Sequence, residues 1–265
     1  MTLDNLLKKL WDDYAALNQQ AHAIHALLEK KGEKVVNDHI AFRTYDLSKV
    51  NIGVVADPFL KLGYQEKGQY KFEEKKLRAK HFEHPSGNYP RIFISELKVK
   101  EFSEQLQSVV EYLVGQVTSE HTQAEDFCVS GVPWKPVSYE TYLQLKEESE
   151  YAAWLSVFGF RANHFTVLVN SLKTIKSLEE LNEFLKKSGF KLNSSGGEIK
   201  GTPEQLLEQS STMADPVEMK FSDSTEKIPS CYYEFARRYP EKDGKLFSGF
   251  IAKSADKIFE STDNK

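Results

Sequence analysis

Two short segments of the sequence begin alike. Asp38-His39 opens DHIAFRT (38–44), and Asn163-His164 opens NHFTVLV (163–169). In each, a small acidic or amide residue precedes a histidine, and an apolar-rich run follows. A histidine at the first position of a buried strand stands at the rim of a sheet, where its imidazole can enter a concave face. Two such strands related by pseudo-symmetry would bring two imidazoles to one point. A third donor lies in CYYEFARRY (231–239), where strand alternation puts Tyr232, Glu234 and Ala236 on one face and Tyr233 and Phe235 on the other. A carboxylate among aromatic residues is costly unless it is paired or metal-bound. His39, His164 and Glu234 together make the two-histidine, one-carboxylate set of non-haem Fe(II) oxygen chemistry, which leaves positions open for substrate and O2. The same donors accept Zn or Ni, which the divalent-metal affinity order allows in a purified sample.

Arg43 shares a strand face with His39, four residues on, with the small Ala41 between them. Their Cα atoms should lie about 13 Å apart at ~3.3 Å per residue. A guanidinium grips a carboxylate bidentately, so a metal at one end and Arg43 at the other would measure a short dicarboxylate. Plainer roles stand beside each of these. A histidine ahead of a strand is commonly a satisfied boundary residue. Glu234 has Arg237 and Arg238 close by as ion-pair partners, and Arg43 could pair with a glutamate on a neighbouring strand. The remaining histidines carry less. His22 and His25 read as surface or boundary residues of a helix, and His81 and His84 face opposite sides of a strand. His81 stays a pocket-lining candidate, and His121 sits in a polar loop.

The elements that must position these residues follow from periodicity. Residues 2–31 carry apolar side chains at helical spacing and read as one helix, capped by Thr2 and ended at Gly32. A strand follows at 38–46, then a helix over 48–63 broken near Pro58, then strands at 64–73, 77–83 and 91–97, then a helix over 100–114. This is a β, α, β, β, β, α order. After a mixed region, 118–150, and a helical stretch through Trp154, a strand at 163–170 leads to a helix at 175–187. Strands at 190–192, 217–221, 229–239 and 247–251 and a partly helical charged tail complete the chain. The reading is an α+β single domain over 1–265, with one module at about 36–117 and a second at about 160–252.

The 265 residues are 40% hydrophobic and 28% charged, a globular balance with a core of useful size. A formal net charge of −4 supplies no general drive toward nucleic acid or an anionic membrane. No run approaches the ~20 apolar residues of a membrane span, and the N-terminus lacks the apolar stretch of a signal peptide. Cys128 and Cys231 are too few to staple the fold and form no metal knuckle, so they read as inert thiols in a reducing cytoplasm. Ser194-Ser195-Gly196-Gly197 lacks phosphate-loop features.

DHIAFRT, PRIFISEL (90–97), NHFTVLVN (163–170), QSSTMAD (209–215), PSCYYEFARRYP (229–240) and SADKIFEST (254–262) closely resemble the 2-oxoadipate dioxygenase/decarboxylase family. The resemblance runs from residue 38 to about 262. It implies a fold related to vicinal oxygen chelate proteins, whose paired βαβββ modules curve a sheet around a metal. It implies Fe(II) held by His39, His164 and Glu234, and a substrate carboxylate bound by Arg43. The implied reaction converts 2-oxoadipate and O2 to 2-hydroxyglutarate and CO2, a step in lysine breakdown. Other members are markedly longer, so this chain is expected to be a compact version. Two other uses of the same residues stay open: Lewis-acid lyase or hydrolase chemistry on a small carboxylate, and a binding module that sequesters a small carboxylate without catalysis.

Overall fold

The computed structural model describes residues 1–262. The helices are α1 (Leu3–Leu17), α2 (Gln19–Lys30), α3 (Ile52–Lys61), α4 (Glu104–Gly115), α5 (Ser119–Gln123), α6 (Tyr139–Glu148), α7 (Glu150–Phe158), α8 (Leu178–Lys187) and α9 (Ala252–Phe259). The strands are β1 (Asn37–Tyr45), β2 (Gln65–Phe72), β3 (Leu77–Glu83), β4 (Arg91–Leu97), β5 (Ala162–Leu168), β6 (Lys200–Thr202), β7 (Leu207–Ser211), β8 (Pro216–Lys220), β9 (Thr225–Pro229) and β10 (Tyr232–Arg238).

Eight strands form one mixed sheet in the order β2-β3-β4-β1-β5-β10-β7-β6, and β8-β9 is a separate hairpin. Each half is a βαβββ unit whose first and last strands pair in parallel, β1 with β4 and β5 with β10. The halves meet where β1 and β5 run antiparallel. The right-handed twist of the strands curls such a sheet, leaving a convex and a concave face. Phe165 and Tyr233 on the convex face pack against Trp11 and Tyr14 of α1, which seals that side. The concave face, read from the register, carries His39, Ala41 and Arg43 of β1, His164 and Thr166 of β5, Tyr232 and Glu234 of β10, and Gln209 and Ser211 of β7. The chain end closes it: α9 lies against β2 at one edge of the sheet and β6 and β7 at the other.

Several elements differ from expectation. The long N-terminal helix is two helices parted at Asn18, whose φ of −124° and ψ of 75° leave the helical region. Apolar periodicity runs straight through this break because Asn18 is itself buried, with its amide donating to Tyr14 Oη at 2.8 Å. Pro58 does not break α3; the helix runs on to Lys61. No strand forms at 247–251, because the carbonyls of Phe247 and Gly249 accept from Arg238 Nη1, both at 2.8 Å. The strand at 190–192 shrinks to a bridge between Leu192 and Thr212. β7, sequence LEQSS, escapes hydropathy reading because its buried residues are mostly polar. The last residues of the charged tail, 263–265, lie outside the described residues.

Candidate metal centre

The centre is assembled from the two strands at the middle of the sheet and the strand beside them. Register puts His39, Thr166 and Glu234 on one rung, and Ala41, His164 and Tyr232 on the next. At the entrance to β5, Gly159 sits at φ +64°, and a Cβ there would meet the Gly131 carbonyl oxygen at 2.1 Å, so only glycine lets the chain turn from α7 toward β5. The donor atoms of His39, His164 and Glu234 all lie within 4.8 Å of one another, and all three residues are buried. His39 Nε2 is 3.5 Å from Glu234 Oε1, and His164 Nε2 is 3.2 Å from Glu234 Oε2.

The residue ahead of each histidine explains the repeated dipeptide. His39 Nδ1 donates to Asp38 Oδ1 at 2.8 Å, and His164 Nδ1 donates to Asn163 Oδ1 at 3.0 Å. Each outer nitrogen is thereby fixed as the N–H, and each Nε2 lone pair is aimed inward, the arrangement that metal-ligating histidines use. Arg238 then holds Asp38, donating from Nε at 2.6 Å and Nη2 at 2.8 Å. The alternative pairing of Glu234 with Arg237 or Arg238 is not the one formed. Arg238 turns to Asp38, and Arg237 lies over the Tyr239 ring. Glu234 Oε1 accepts from Gln209 Nε2 at 2.6 Å.

Burial pushes the Glu234 carboxyl up to about 8, against the Gln209 hydrogen bond. Burial also lowers both imidazoles, His164 well below its ordinary value. Burial thus disfavours the charged form of all three groups. Two imidazole lone pairs and a carboxylate that lacks a full-strength cationic partner are a donor set that a divalent cation fits. Asp38 behaves oppositely: burial opposes its ionisation, but the Arg238 charge and hydrogen bonds outweigh it and hold its carboxyl far below the ordinary range.

Arg43 is buried on the next rung but one from His39. Its partner is not on a neighbouring strand. Nη1 meets Glu150 Oε1 of α7 at 3.0 Å, and Nη2 donates to Thr262 Oγ1 at 3.1 Å. The guanidinium lies over Tyr151 and Trp154 at 4.9 and 5.1 Å. Among the described residues Nε has no acceptor. A surface cavity of about 560 Å³ reaches Glu150, Tyr151 and Phe259 around Arg43 and does not take in the triad. The triad itself is roofed by Phe250, whose ring lies 4.8 Å from that of His39.

Of the other residues singled out, His81 faces inward, with Nδ1 2.8 Å from Tyr70 Oη and Nε2 3.0 Å from Glu83. It lies against Phe250 rather than in the triad. His84 bonds Ser86, and His121 caps its own short helix. Cys231 points away, with Sγ 3.7 Å from the Ala162 carbonyl and its thiol pushed up to about 12 by burial. Gln209 and Glu150 have no local signal in the sequence; Asp38 stands out only as the acid ahead of His39, and Arg238 only as a partner for Glu234, which is not the partner it takes.

A curled sheet of two βαβββ halves with a two-histidine, one-carboxylate cluster at their junction defines a vicinal-oxygen-chelate-like fold with a candidate metal site. A glyoxalase-superfamily protein from Ralstonia eutropha JMP134, 19% identical, shares this fold at a TM-score of 0.76 over 92% of this chain and 84% of its own. The model of the 2-oxoadipate dioxygenase/decarboxylase family matches residues 3–247, and the chain belongs to that family. The rice chloroplastic/amyloplastic 2-oxoadipate dioxygenase/decarboxylase is 37% identical over 95% of this chain and 76% of its own. The Oryza sativa hydroxyglutarate synthase, solved in complex with 2-oxoadipate, superposes at a TM-score of 0.90 with 35% identity, over 98% of this chain and 91% of that one. A Shewanella frigidimarina NCIMB 400 protein, solved under the name of a hydrolase, is 52% identical at a TM-score of 0.90, over 94% and 97% of the two chains. The match spans 76% of the rice relative's length, so that relative is longer than this chain, whereas the Shewanella chain is nearly matched in full. No helix among the described residues is long and apolar enough to cross a membrane.

Proposed function

We propose that this protein is an Fe(II)-dependent dioxygenase/decarboxylase that converts 2-oxoadipate and O2 to 2-hydroxyglutarate and CO2, acting in the cytoplasm in lysine breakdown. The observation that carries the reading is the buried His39, His164 and Glu234 cluster on one face with Arg43, in a chain of this family. His39, His164 and Glu234 would hold the metal. Bound there, Fe(II) supplies a Lewis-acidic and redox-active centre for a chelating 2-oxo acid and O2. Losing CO2 and gaining a hydroxyl together reduce O2 fully at the expense of one substrate molecule, so no separate reductant is needed. One oxygen atom ends in the new carboxylate and the other in the hydroxyl.

The chain's own residues divide the remaining work. Asp38 and Asn163 keep the imidazoles in the ligating tautomer. Gln209 restrains the Glu234 carboxylate, and Phe250 keeps bulk water off the His39 side. Arg43 binds the distal carboxylate, with Glu150 orienting its guanidinium from behind.

The test is anaerobic reconstitution with Fe(II), followed by O2 uptake on adding 2-oxoadipate or 2-oxohexanoate, which lacks the distal carboxylate. Wild type should prefer 2-oxoadipate. Arg43→Ala should lower kcat/KM for it by roughly 10² to 10³, the scale of a buried charge pair broken from one side. Arg43→Lys should recover only part, since the planar fork is lost. Metal-dependent breakdown of a carboxylate substrate without O2 uptake would instead mark the lyase or hydrolase reading. Binding that survives chelation, with no turnover, would mark the sequestering module.

A further inference from the structure

Tyr232 is a large side chain of the concave face that the mechanism above leaves unused. It is fully buried, one rung from Glu234 toward Arg43, directly across from His164 on the neighbouring strand. Its ring stacks on the His164 imidazole, with centroids 4.5 Å apart and planes 25° apart. The flank of the ring packs with Ala214 and with Ile258 of α9, which fixes its direction. Yet its hydroxyl has no hydrogen-bond partner among the described residues. A buried phenol normally finds one, because a hydroxyl taken out of water without a partner destabilises the fold.

The register shows where the ring lies: Tyr232 shares a rung with His164 and Ala41, between the rung of His39 and Glu234 and that of Arg43. The phenol thus stands between the triad and the arginine. Another unmatched donor, on the same face of the sheet, is Arg43 Nε, left over after Nη1 and Nη2 have taken Glu150 and Thr262. Two buried donors without acceptors, one neutral and one charged, on adjacent rungs of one face, call for an acceptor with more than one lone pair.

We propose that Tyr232 Oη is a specificity-determining donor that binds the distal carboxylate of the substrate together with Arg43 Nε. The inference rests on the function proposed above and deepens it. Arg43 alone selects for negative charge. A phenol pinned on His164 selects in addition for a carboxylate at a set distance from the metal, because the ring cannot follow a shorter or longer chain.

Tyr232→Phe removes one oxygen and leaves the stacking surface. The measurement is calorimetric titration of anaerobic Fe(II)-loaded protein, in which no turnover occurs, with 2-oxoadipate, the one-carbon-shorter 2-oxoglutarate and 2-oxohexanoate. Thermal melting of the metal-free proteins accompanies it. Tyr232→Phe should raise the Kd for 2-oxoadipate roughly 10-fold or more, the scale of a hydrogen bond to a charged group. It should leave 2-oxohexanoate within about twofold and narrow the gap to 2-oxoglutarate. Its Tm should equal or exceed that of wild type, since an unmatched hydroxyl has gone. A hydroxyl with a merely structural role would instead lower Tm and weaken all three ligands alike, and either result overturns the assignment. An unchanged Kd for 2-oxoadipate in a wild-type background that prefers it overturns the tyrosine role alone. Wild type that shows no preference for 2-oxoadipate over 2-oxohexanoate overturns the substrate reading, and the tyrosine role with it.

Discussion

The two halves of the sheet present their histidines in the same way and support them differently. On the β1 side, His39 leans on Asp38, a carboxylate held by Arg238 through two hydrogen bonds and approached by Arg91 at 3.5 Å. Arg238 also clamps the carbonyls of Phe247 and Gly249, which seats Phe250 over His39. On the β5 side, His164 leans on Asn163, whose amide nitrogen has no partner among the described residues, and on the face of Tyr232. One imidazole is supported by charge and the other by a neutral amide and packing. A repeated backbone plan reproduces where the ligands point but leaves their basicity free to diverge. A carboxylate behind an imidazole raises its donor strength more than an amide does.

Removing a ligand should erase this difference. His39→Ala, His164→Ala and Glu234→Ala should each abolish stoichiometric iron binding, measured by metal analysis after anaerobic loading and desalting, because three protein donors leave none spare. His84→Ala and His121→Ala should bind as wild type does. Full iron retention by Glu234→Ala would show that the carboxylate is not a ligand.

Altering the residue behind each ligand should expose the asymmetry. Asp38→Asn leaves the buried Arg238 guanidinium without its counter-charge and should destabilise the fold by about 3–5 kcal/mol. It should also weaken iron binding by roughly 10- to 100-fold. Asn163→Ala removes only a neutral hydrogen bond and should cost about 1 kcal/mol, with a smaller loss of iron affinity. Denaturant melts and competitive chelator titrations would measure both. Equal losses would mean that the charge on Asp38 is immaterial to His39.

The pH response of metal-free protein sharpens the same contrast. Glu234 has its carboxyl raised to about 8 in the fold, so its contribution to stability is present below its ordinary value near 4.5 and is lost as pH rises through about 8. The lowered imidazoles act in the other direction, stabilising above their ordinary value near 6.5 and losing that contribution as pH falls. Metal-free wild type should therefore lose Tm between about pH 6.5 and 8, where the imidazole contribution is already complete and only the Glu234 contribution is still being lost, and Glu234→Gln should not. Bound metal should flatten the curve, since it favours the ionised carboxylate.

The smallest effect expected is at Cys231. Its side chain faces the convex side, so Cys231→Ser should keep iron and activity and cost only the burial of a hydroxyl, about 1–2 kcal/mol in a urea melt. A changed iron spectrum in that variant would contradict the register of β10.

Much of the centre was legible because its signals are local. A histidine behind an acid or amide at the head of an apolar strand, and a glutamate alternating with aromatic residues, are patterns within a few residues of one another. The βαβββ order of the first half likewise follows from short-range periodicity. β7 was missed because a strand that faces the centre carries Gln209 and Ser211 where hydropathy would look for apolar residues. The break at Asn18 was missed because a buried asparagine leaves the helical spacing of its neighbours unchanged.

The sequence by itself determined which side chains of a strand share a face, because strand alternation is a property of the backbone of each segment; it did not place the histidines, which are the third residues of β1 and β5 and buried rather than at the rim. Its reading of the two cysteines as free fits their burial in the structure. Only the tertiary structure decided who meets whom across the sheet. Asp38 and Arg238 are 200 residues apart, and Arg43 finds Glu150 on a helix 107 residues away rather than on a neighbouring strand. Those contacts depend on register, on the curl of eight strands and on where the chain end crosses the concave face. The same long-range placement leaves the Tyr232 hydroxyl and Arg43 Nε buried without acceptors. No local pattern encodes that, because a side chain's burial and its hydrogen-bond partners are set by the residues that close over it.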